Sequence, residues 1–137
     1  MKQAVIYWSG TGNTQVMAEA IAAGMGADTE VFAVADFTGN VADYDKIAFG
    51  CPAMGEEVLE EAEFEPFFAG IEGALSGKKV ALFGSFGWGD CQWMRDWEAR
   101  TSKAGASLFE EGMAFNGFPD ADGKAACTEF GQRFAAF

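Results

Sequence analysis

The sequence predicts an α/β protein: a parallel β-sheet with helices on both of its faces. Five apolar runs of strand length alternate with helical or loop segments, and such repeated alternation is typical of a parallel sheet. One of these runs, Val80-Ala81-Leu82-Phe83, is apolar without interruption, as in a strand that is buried on both faces. The 137 residues are enough for one domain with a full core, and we expect a single domain over residues 1–137.

The predicted elements follow one another at short intervals. Strand composition marks five segments, at residues 3–8, 29–35, 46–51, 79–84 and 107–115. Helical patterns mark four others, at residues 14–25, 65–75, 91–104 and 123–136. The segment between residues 36 and 45 is short and contains Gly39-Asn40, so we expect its helix to be reduced to a turn.

The loop Ser9-Gly10-Thr11-Gly12-Asn13-Thr14 lies between the first strand and the first helix. A short loop at this place aims backbone N–H groups and a helix N-terminus at an anion. Its glycines allow close approach of the backbone, and its hydroxyl and amide side chains add donors. Because the loop contains neither Lys nor Arg, it predicts a site for one phosphate held by hydrogen bonds.

Two common phosphate motifs do not match this loop. A Walker A loop requires a lysine that is absent here, and the dinucleotide fingerprint fails at its third glycine, where Gln15 stands. A second interpretation of the loop remains open, namely that its hydroxyls only cap the first helix.

Composition narrows the range of functions. An excess of 21 acidic over 9 basic residues gives a net charge of −12, which argues against nucleic acid and favours basic protein partners. The chain has no histidine, the commonest general acid or base, which favours chemistry carried by a bound cofactor. Its three cysteines lack metal-site spacing, and no apolar run reaches the ~18 residues of a membrane span. We expect a cytoplasmic monomer without membrane contact.

Two further loops follow predicted strands and carry exposed apolar side chains. Residues 51–57 contain Met54, and residues 85–90 place Trp88 between glycines. In parallel sheets, ligands bind beyond the carboxyl ends of the strands, so these loops predict two walls of a slot for a flat aromatic ligand. One phosphate site and one planar slot together indicate a mononucleotide flavin.

Three motifs in this order resemble the flavodoxins, in particular the short-chain type of anaerobic bacteria. They are Tyr-Trp-Ser-Gly-Thr-Gly-Asn-Thr (7–14), Ala-Met-Gly-Glu-Glu (53–57) and the run from Gly77 to Asp90, which continues into Trp-Met-Arg-Asp-Trp (93–97). The resemblance implies a doubly wound five-stranded sheet of order 2-1-3-4-5 and one non-covalent FMN. It further implies a low-potential one-electron carrier that replaces ferredoxin between redox enzymes.

The resemblance also assigns roles within these motifs. Met54 and Trp88 match the residues that sandwich the flavin ring. Gly55 matches the glycine whose carbonyl turns toward flavin N5. Glu57 matches an acidic residue that accepts a hydrogen bond from flavin N3–H. The complete predicted cofactor site consists of Ser9, Gly10, Thr11, Gly12, Asn13, Thr14, Ala53, Met54, Gly55, Glu56, Glu57, Ser85, Phe86, Gly87, Trp88 and Gly89.

Four positions depart from the family pattern. Phe86 stands where many relatives have Tyr, Glu56 where some have Asp, and Pro52 cannot donate a backbone hydrogen bond. Cys91 begins a helix where relatives commonly have Gly. A helix N-terminus lowers the pKa of a thiol, so Cys91 is either prone to oxidation or a packed spectator.

Residues 56–72 contain seven glutamates and neither Lys nor Arg. We interpret this run as a docking face for basic redox partners, with a solvated helix approach as the alternative.

Cys127 and Arg133 match the Cys-x5-Arg spacing of low-molecular-weight phosphatases. However, Cys127 falls on the apolar face of the last predicted helix rather than at a strand end. The main functional alternative is an FMN-dependent two-electron quinone or nitro reductase, and a non-flavin nucleotide-binding module is a second.

Overall fold

Six strands form one parallel sheet in the computed structural model, which describes residues 2–55 and 57–137. They are β1 (Gln3–Tyr7), β2 (Glu30–Ala33), β3 (Lys46–Gly50), β4 (Lys79–Phe86), β5 (Ser107–Leu108) and β6 (Met113–Asn116). The order across the sheet is β2-β1-β3-β4-β5, and β6 also pairs with β4. Every pair is parallel, so the predicted sheet and its strand order are confirmed.

Four helices cover the sheet within these residues: α1 (Asn13–Met25), α2 (Phe64–Ile71), α3 (Gln92–Lys103) and α4 (Ala121–Ala136). Between β2 and β3 there are two single 3-10 turns, Val34–Asp36 and Val41–Asp43, in agreement with the reduced helix expected there. Within the described chain, no helix combines the length and the apolar character needed to cross a bilayer.

Alternate residues of the central strands build two separate apolar layers. Ile6, Phe49 and Leu82 face the layer that holds α2 and α3, which contribute Phe64, Phe68, Trp93 and Trp97. Val5, Ala48 and Phe83 face the layer of α1 and α4, which contribute Met17, Ile21, Cys127, Phe130 and Phe134. Each large apolar side chain buried in this way contributes about 1.5–3 kcal/mol. The expected placement of helices on both faces is therefore confirmed.

The strand predicted at residues 107–115 is divided into two segments. β5 pairs with the beginning of β4 and β6 with its end. Between them, Phe109 packs against the rings of Phe130 and Phe134, and Glu110 has a φ of +48°. A residue with positive φ cannot continue the pleat of a strand, and this interrupts the predicted single strand.

The helices α1 and α4 approach each other closely through glycines. A Cβ on Gly24 would lie 2.0 Å from the carbonyl oxygen of Thr128, and one on Gly131 would lie 2.1 Å from that of Ile21. A side chain at either position would therefore push the helices apart. Because α1 begins at the predicted phosphate loop, this contact fixes the position of that loop.

Candidate cofactor site

A cavity of about 300 Å³ opens at the carboxyl edge of the sheet, where β1, β3, β4 and β6 end. Its lining comes from four segments of the chain: Trp8, Gly10, Thr11 and Asn13; Pro52, Ala53 and Met54; Ser85, Phe86 and Gly87; and Gly117. This edge is where parallel α/β sheets bind ligands, and the volume is in the range of small-molecule sites.

Eight residues of the predicted cofactor site line this cavity, namely Gly10, Thr11, Asn13, Ala53, Met54, Ser85, Phe86 and Gly87. Ser9, Gly12, Thr14, Gly55, Glu57, Trp88 and Gly89 are not among its lining residues. Glu56 lies outside the described residues. The structure thus brings the three predicted loops together, whereas the contacts of each residue with a cofactor stay predictions.

The loop before α1 has the backbone geometry of an anion site. Gly12 has a φ of +96° and immediately precedes the helix, and the hydroxyl of Ser9 accepts from the amides of Gly12 (3.1 Å) and Gln15 (3.2 Å). Within the described chain, the amides of Thr11, Asn13 and Thr14 donate to no protein acceptor. Helix capping therefore accounts for Ser9 only, and three amides remain available to an anion.

Thr14 is placed differently from the other hydroxyl residues of the loop. Its side chain is only 1% exposed, and its Oγ1 lies 3.0 Å from Oγ of Ser85 at the end of β4. The amide of Ser85 also donates to this Oγ1 at 3.4 Å. The two hydroxyls join the phosphate loop to the loop after β4 beneath the surface of the cavity.

One of the two predicted walls of the planar slot lies at the cavity. Met54 is part of the lining, whereas the side chain of Trp88 is 63% exposed. Phe86 also lines the cavity and packs against Trp93, whose Nε1 donates to the carbonyl oxygen of Cys51 at 3.2 Å. The contribution of Trp88 to the slot stays a prediction.

Backbone hydrogen bonds connect Met54 with Glu57 and Val58. The amide of Glu57 donates to the carbonyl oxygen of Met54 at 2.7 Å, and the amide of Met54 donates to that of Val58 at 3.0 Å. Glu57 has a φ of +54°, while Gly55 does not have a positive φ, which excludes a type II′ turn. Oε1 of Glu57 is buried without a partner among the described residues, and a Cβ on Gly89 would lie 2.3 Å from it.

Three glutamates of the acidic run are wholly or partly buried and bound to structural partners, which corrects the interpretation of the whole run as a docking face. Glu60 is buried and accepts hydrogen bonds from the amides of residues 62–64 at the start of α2. Burial alone would raise the pKa of Glu60, but these three hydrogen bonds outweigh it and lower the pKa. Glu65 and Glu72 bind Arg100 of α3 at 2.7 and 2.9 Å, and these bonds raise the pKa of Arg100. Of the remaining glutamates, Glu61 and Glu63 are exposed.

Of the two interpretations of Cys91, the structure favours the packed spectator over the oxidation-prone thiol. Cys91 precedes α3 with a φ of +68°, and burial raises the pKa of its thiol, an effect that Arg95 offsets only in part. Burial also raises the pKa of Cys51 to about 12 and that of Cys127 to about 11. Cys127 is fully buried within α4, away from the carboxyl edge of the sheet, in agreement with its interpretation as a core residue.

Three residues that line the cavity were not predicted as site residues: Trp8, Pro52 and Gly117. Trp8 was predicted only as the end of a strand; its Nε1 donates to Glu63 at 3.1 Å, and a Cβ on Gly10 would touch its ring at 2.9 Å. Gly117 has a φ of +80° and donates to the carbonyl oxygen of Phe86 at 2.8 Å. Nothing in the sequence pattern separated Gly117 from an ordinary loop glycine.

Comparisons with known proteins agree with this geometry. The family model for flavodoxin matches residues 5–131. The chain is 47% identical over 135 residues to a flavodoxin from Clostridium beijerinckii, with 96% of this chain and 97% of that protein covered. It is 44% identical over 135 residues to a flavodoxin from Megasphaera elsdenii, with 96% of each chain covered.

Solved structures show the same likeness. The solution structure of two-electron reduced Megasphaera elsdenii flavodoxin superimposes with a TM-score of 0.85 at 44% identity, over 98% of this chain and 99% of that one. A flavodoxin from the domain Archaea gives a TM-score of 0.90 at 26% identity, over 99% and 97% of the two chains. The chain therefore belongs to the flavodoxin family, whose members are small flavin-binding electron-transfer proteins rather than enzymes.

Proposed function

We propose that this protein binds FMN non-covalently in the cavity at the carboxyl edge. In this proposal it acts as a low-potential one-electron carrier between redox enzymes in the cytoplasm, in place of ferredoxin. The observation that carries the proposal is the pairing of one lysine-free anion loop with one cavity of about 300 Å³. Family membership supports a flavin, and the presence of one phosphate loop supports a mononucleotide.

The residues present fit this cofactor. The free amides of Thr11, Asn13 and Thr14 match a phosphate, which is best bound at a helix N-terminus. Glu57 lines a second cavity together with Trp93 and Trp97 and not this one, so its role as an acceptor for a flavin N–H rests on the resemblance alone, although its Oε1 is buried without a partner among the described residues. Met54 offers an apolar surface for one face of the ring. When bound, the flavin supplies the redox chemistry.

The charge distribution supports basic redox proteins as partners. Five of the six lysines lie at the amino edge of the sheet, remote from the cavity: Lys2, Lys46, Lys78, Lys79 and Lys103. Exposed acids follow the strands at the opposite edge, among them Glu61, Glu63 and Asp90. Such a separation steers an oppositely charged partner toward the edge where the cofactor would lie.

Denaturation of the purified protein should release FMN, identified by chromatography against FMN, FAD and riboflavin standards. Release of FAD, or failure of the colourless protein to bind FMN, would contradict the proposal.

Stepwise anaerobic reduction, followed by absorbance, then distinguishes a one-electron carrier from a two-electron reductase. Accumulation of a half-reduced species indicates a one-electron carrier, whereas direct passage to the fully reduced state indicates a two-electron reductase.

A test of the partner surface uses the two exposed glutamates of the acidic run. Glu61→Gln with Glu63→Gln should slow association with a basic redox partner, and the rate for the unmodified protein should fall as salt rises. Glu19→Gln with Glu129→Gln is the matched control, because it also removes two charges and both residues are exposed, on α1 and α4. Equal rates for the double variant and this control would reject the acidic surface as the docking site.

A further inference from the structure

We infer that Ser85 is a positioning residue for the phosphate end of the cofactor: through Thr14, it prepares a hydroxyl that donates to the phosphate. The inference rests on the proposed function, since it concerns the same site. It keeps the phosphate contact that the sequence predicts for Thr14, but it replaces the direct cofactor contact predicted for Ser85 by an action through Thr14.

The pair is buried and held by regular structure on both sides. Thr14 lies in the first turn of α1 and is 1% exposed, and Ser85 lies in β4 and is 4% exposed. The carbonyl oxygen of Ser85 accepts from the amide of Ala53 at 3.0 Å, and its neighbour Gly84 is paired with Ala114 of β6. Ser85 is thus fixed by the sheet, and its position in turn restricts the side chain of Thr14.

The number of donors and acceptors determines what the pair can do. A hydroxyl has one proton to donate and two lone pairs that accept. Oγ1 of Thr14 accepts from the amide of Ser85 at 3.4 Å, and it lies 3.0 Å from Oγ of Ser85. If the hydroxyl of Ser85 donates, both lone pairs of Thr14 are used and its own proton is free.

A bound phosphate favours this orientation over the reverse. With Thr14 donating to Ser85, Thr14 has no proton left for an anion at the start of α1. With Ser85 donating, the two hydroxyls point their protons in sequence toward the negative charge, and each bond polarises the next. The hydroxyl of Ser85 therefore acts on the phosphate through Thr14.

Ser85 also lines the cavity, so a direct contact with the flavin or its side chain is the competing explanation. The two roles differ in the part of the cofactor that is affected. A relay through Thr14 concerns only the phosphate, which riboflavin lacks. A direct contact concerns the part that FMN and riboflavin share.

The experiment measures the affinities of the cofactor-free protein for FMN and for riboflavin by quenching of flavin fluorescence. Ser85→Ala should lower the ratio of FMN to riboflavin affinity by about three- to tenfold. Thr14→Val, which keeps the shape of the side chain, should lower that ratio at least as much. Adding Ser85→Ala to Thr14→Val should then leave the ratio unchanged, because the relay is already broken.

Thr14→Ser is the matched control, since it keeps the hydroxyl and should retain a ratio within about twofold of the unmodified protein. Riboflavin binding reports whether each variant still forms the cavity. Equal losses for FMN and riboflavin in Ser85→Ala, or additive losses in the double variant, would overturn the relay while FMN binding stands. If the unmodified protein binds neither flavin, the proposed function itself fails.

Discussion

Replacement of Glu60 by Gln should destabilise the protein, although Glu60 belongs to an acidic run that looks like a solvated surface. In the structure Glu60 is 6% exposed, and its carboxylate accepts three hydrogen bonds, with N···O distances of 2.7–2.8 Å, from amides at the start of α2. Oε1 accepts from Glu63 and Phe64, and Oε2 accepts from Ala62. Gln can keep the first two bonds, but its NH₂ group then faces the amide of Ala62.

The cost follows from this one lost bond. Loss of a hydrogen bond to a charged group, with its donor left partly buried, corresponds to about 1.5–3 kcal/mol. For a chain of this length we expect the melting temperature to fall by about 3–5 °C per kcal/mol. The control is Glu61→Gln, because Glu61 is exposed and a change there should stay within about 0.5 kcal/mol.

The effect should also depend on pH. The pKa of Glu60 is lowered in the folded protein, so its stabilising effect is present above the pKa of an unfolded glutamate, about 4.3. It is lost as the pH falls through the lower pKa of the folded state. Urea unfolding at pH 7 and at successively lower pH should therefore show the difference between the native protein and Glu60→Gln shrinking. A difference that is absent at pH 7, or that does not shrink in acid, would refute the capping role.

Three further changes test the fold and the site. Gly24→Ala should lower the free energy of unfolding by about 1–3 kcal/mol, because its Cβ would meet a backbone oxygen of α4. Gly70→Ala is the control: its Cβ would lie in open space on α2, so it should raise the free energy of unfolding by up to about 1 kcal/mol. Chemical denaturation measures both changes. Thr11→Ala should weaken FMN more than riboflavin, by up to about 1.5–3 kcal/mol for a bond to a charged phosphate, and equal weakening would contradict a phosphate contact. Gly55→Ala should lower the potential of the first reduction step by roughly 40–90 mV, because glycine allows the positive φ that a carbonyl turned toward flavin N5 requires. Electrochemistry measures the shift, and an unchanged potential would contradict the role that the resemblance gives to Gly55.

The fold was largely predictable because its determinants are local. Continuous apolar runs such as Val80-Ala81-Leu82-Phe83 indicate buried strands, and the segments between them have helical spacing. The strand order, by contrast, came from the resemblance, since periodicity says nothing about which strands are neighbours. The break within residues 107–115 was not predicted, because it depends on the packing of the Phe109 side chain against Phe130 and Phe134 of the distant helix α4.

The candidate site was predictable where its residues are close in sequence, and it was less predictable where residues far apart in the sequence contact each other. Gly10, Thr11 and Asn13 line the cavity because they follow a strand end directly. The partnership of Thr14 with Ser85 joins positions 71 residues apart, which no local pattern reveals. The same limit explains the acidic run: Arg100, which forms ion pairs with Glu65 and Glu72, lies well beyond it in the sequence.

The contact between α1 and α4 has a consequence for how the protein is made. α1 is synthesised well before α4, yet its buried face, with Met17 and Ile21, shares one apolar cluster with α4. Until residues 121–136 have been synthesised, that face of the nascent chain lacks its cover and remains open to chaperones or to aggregation. Contacts between such distant segments also slow folding, so the phosphate loop at the start of α1 should become rigid only in a late step of folding.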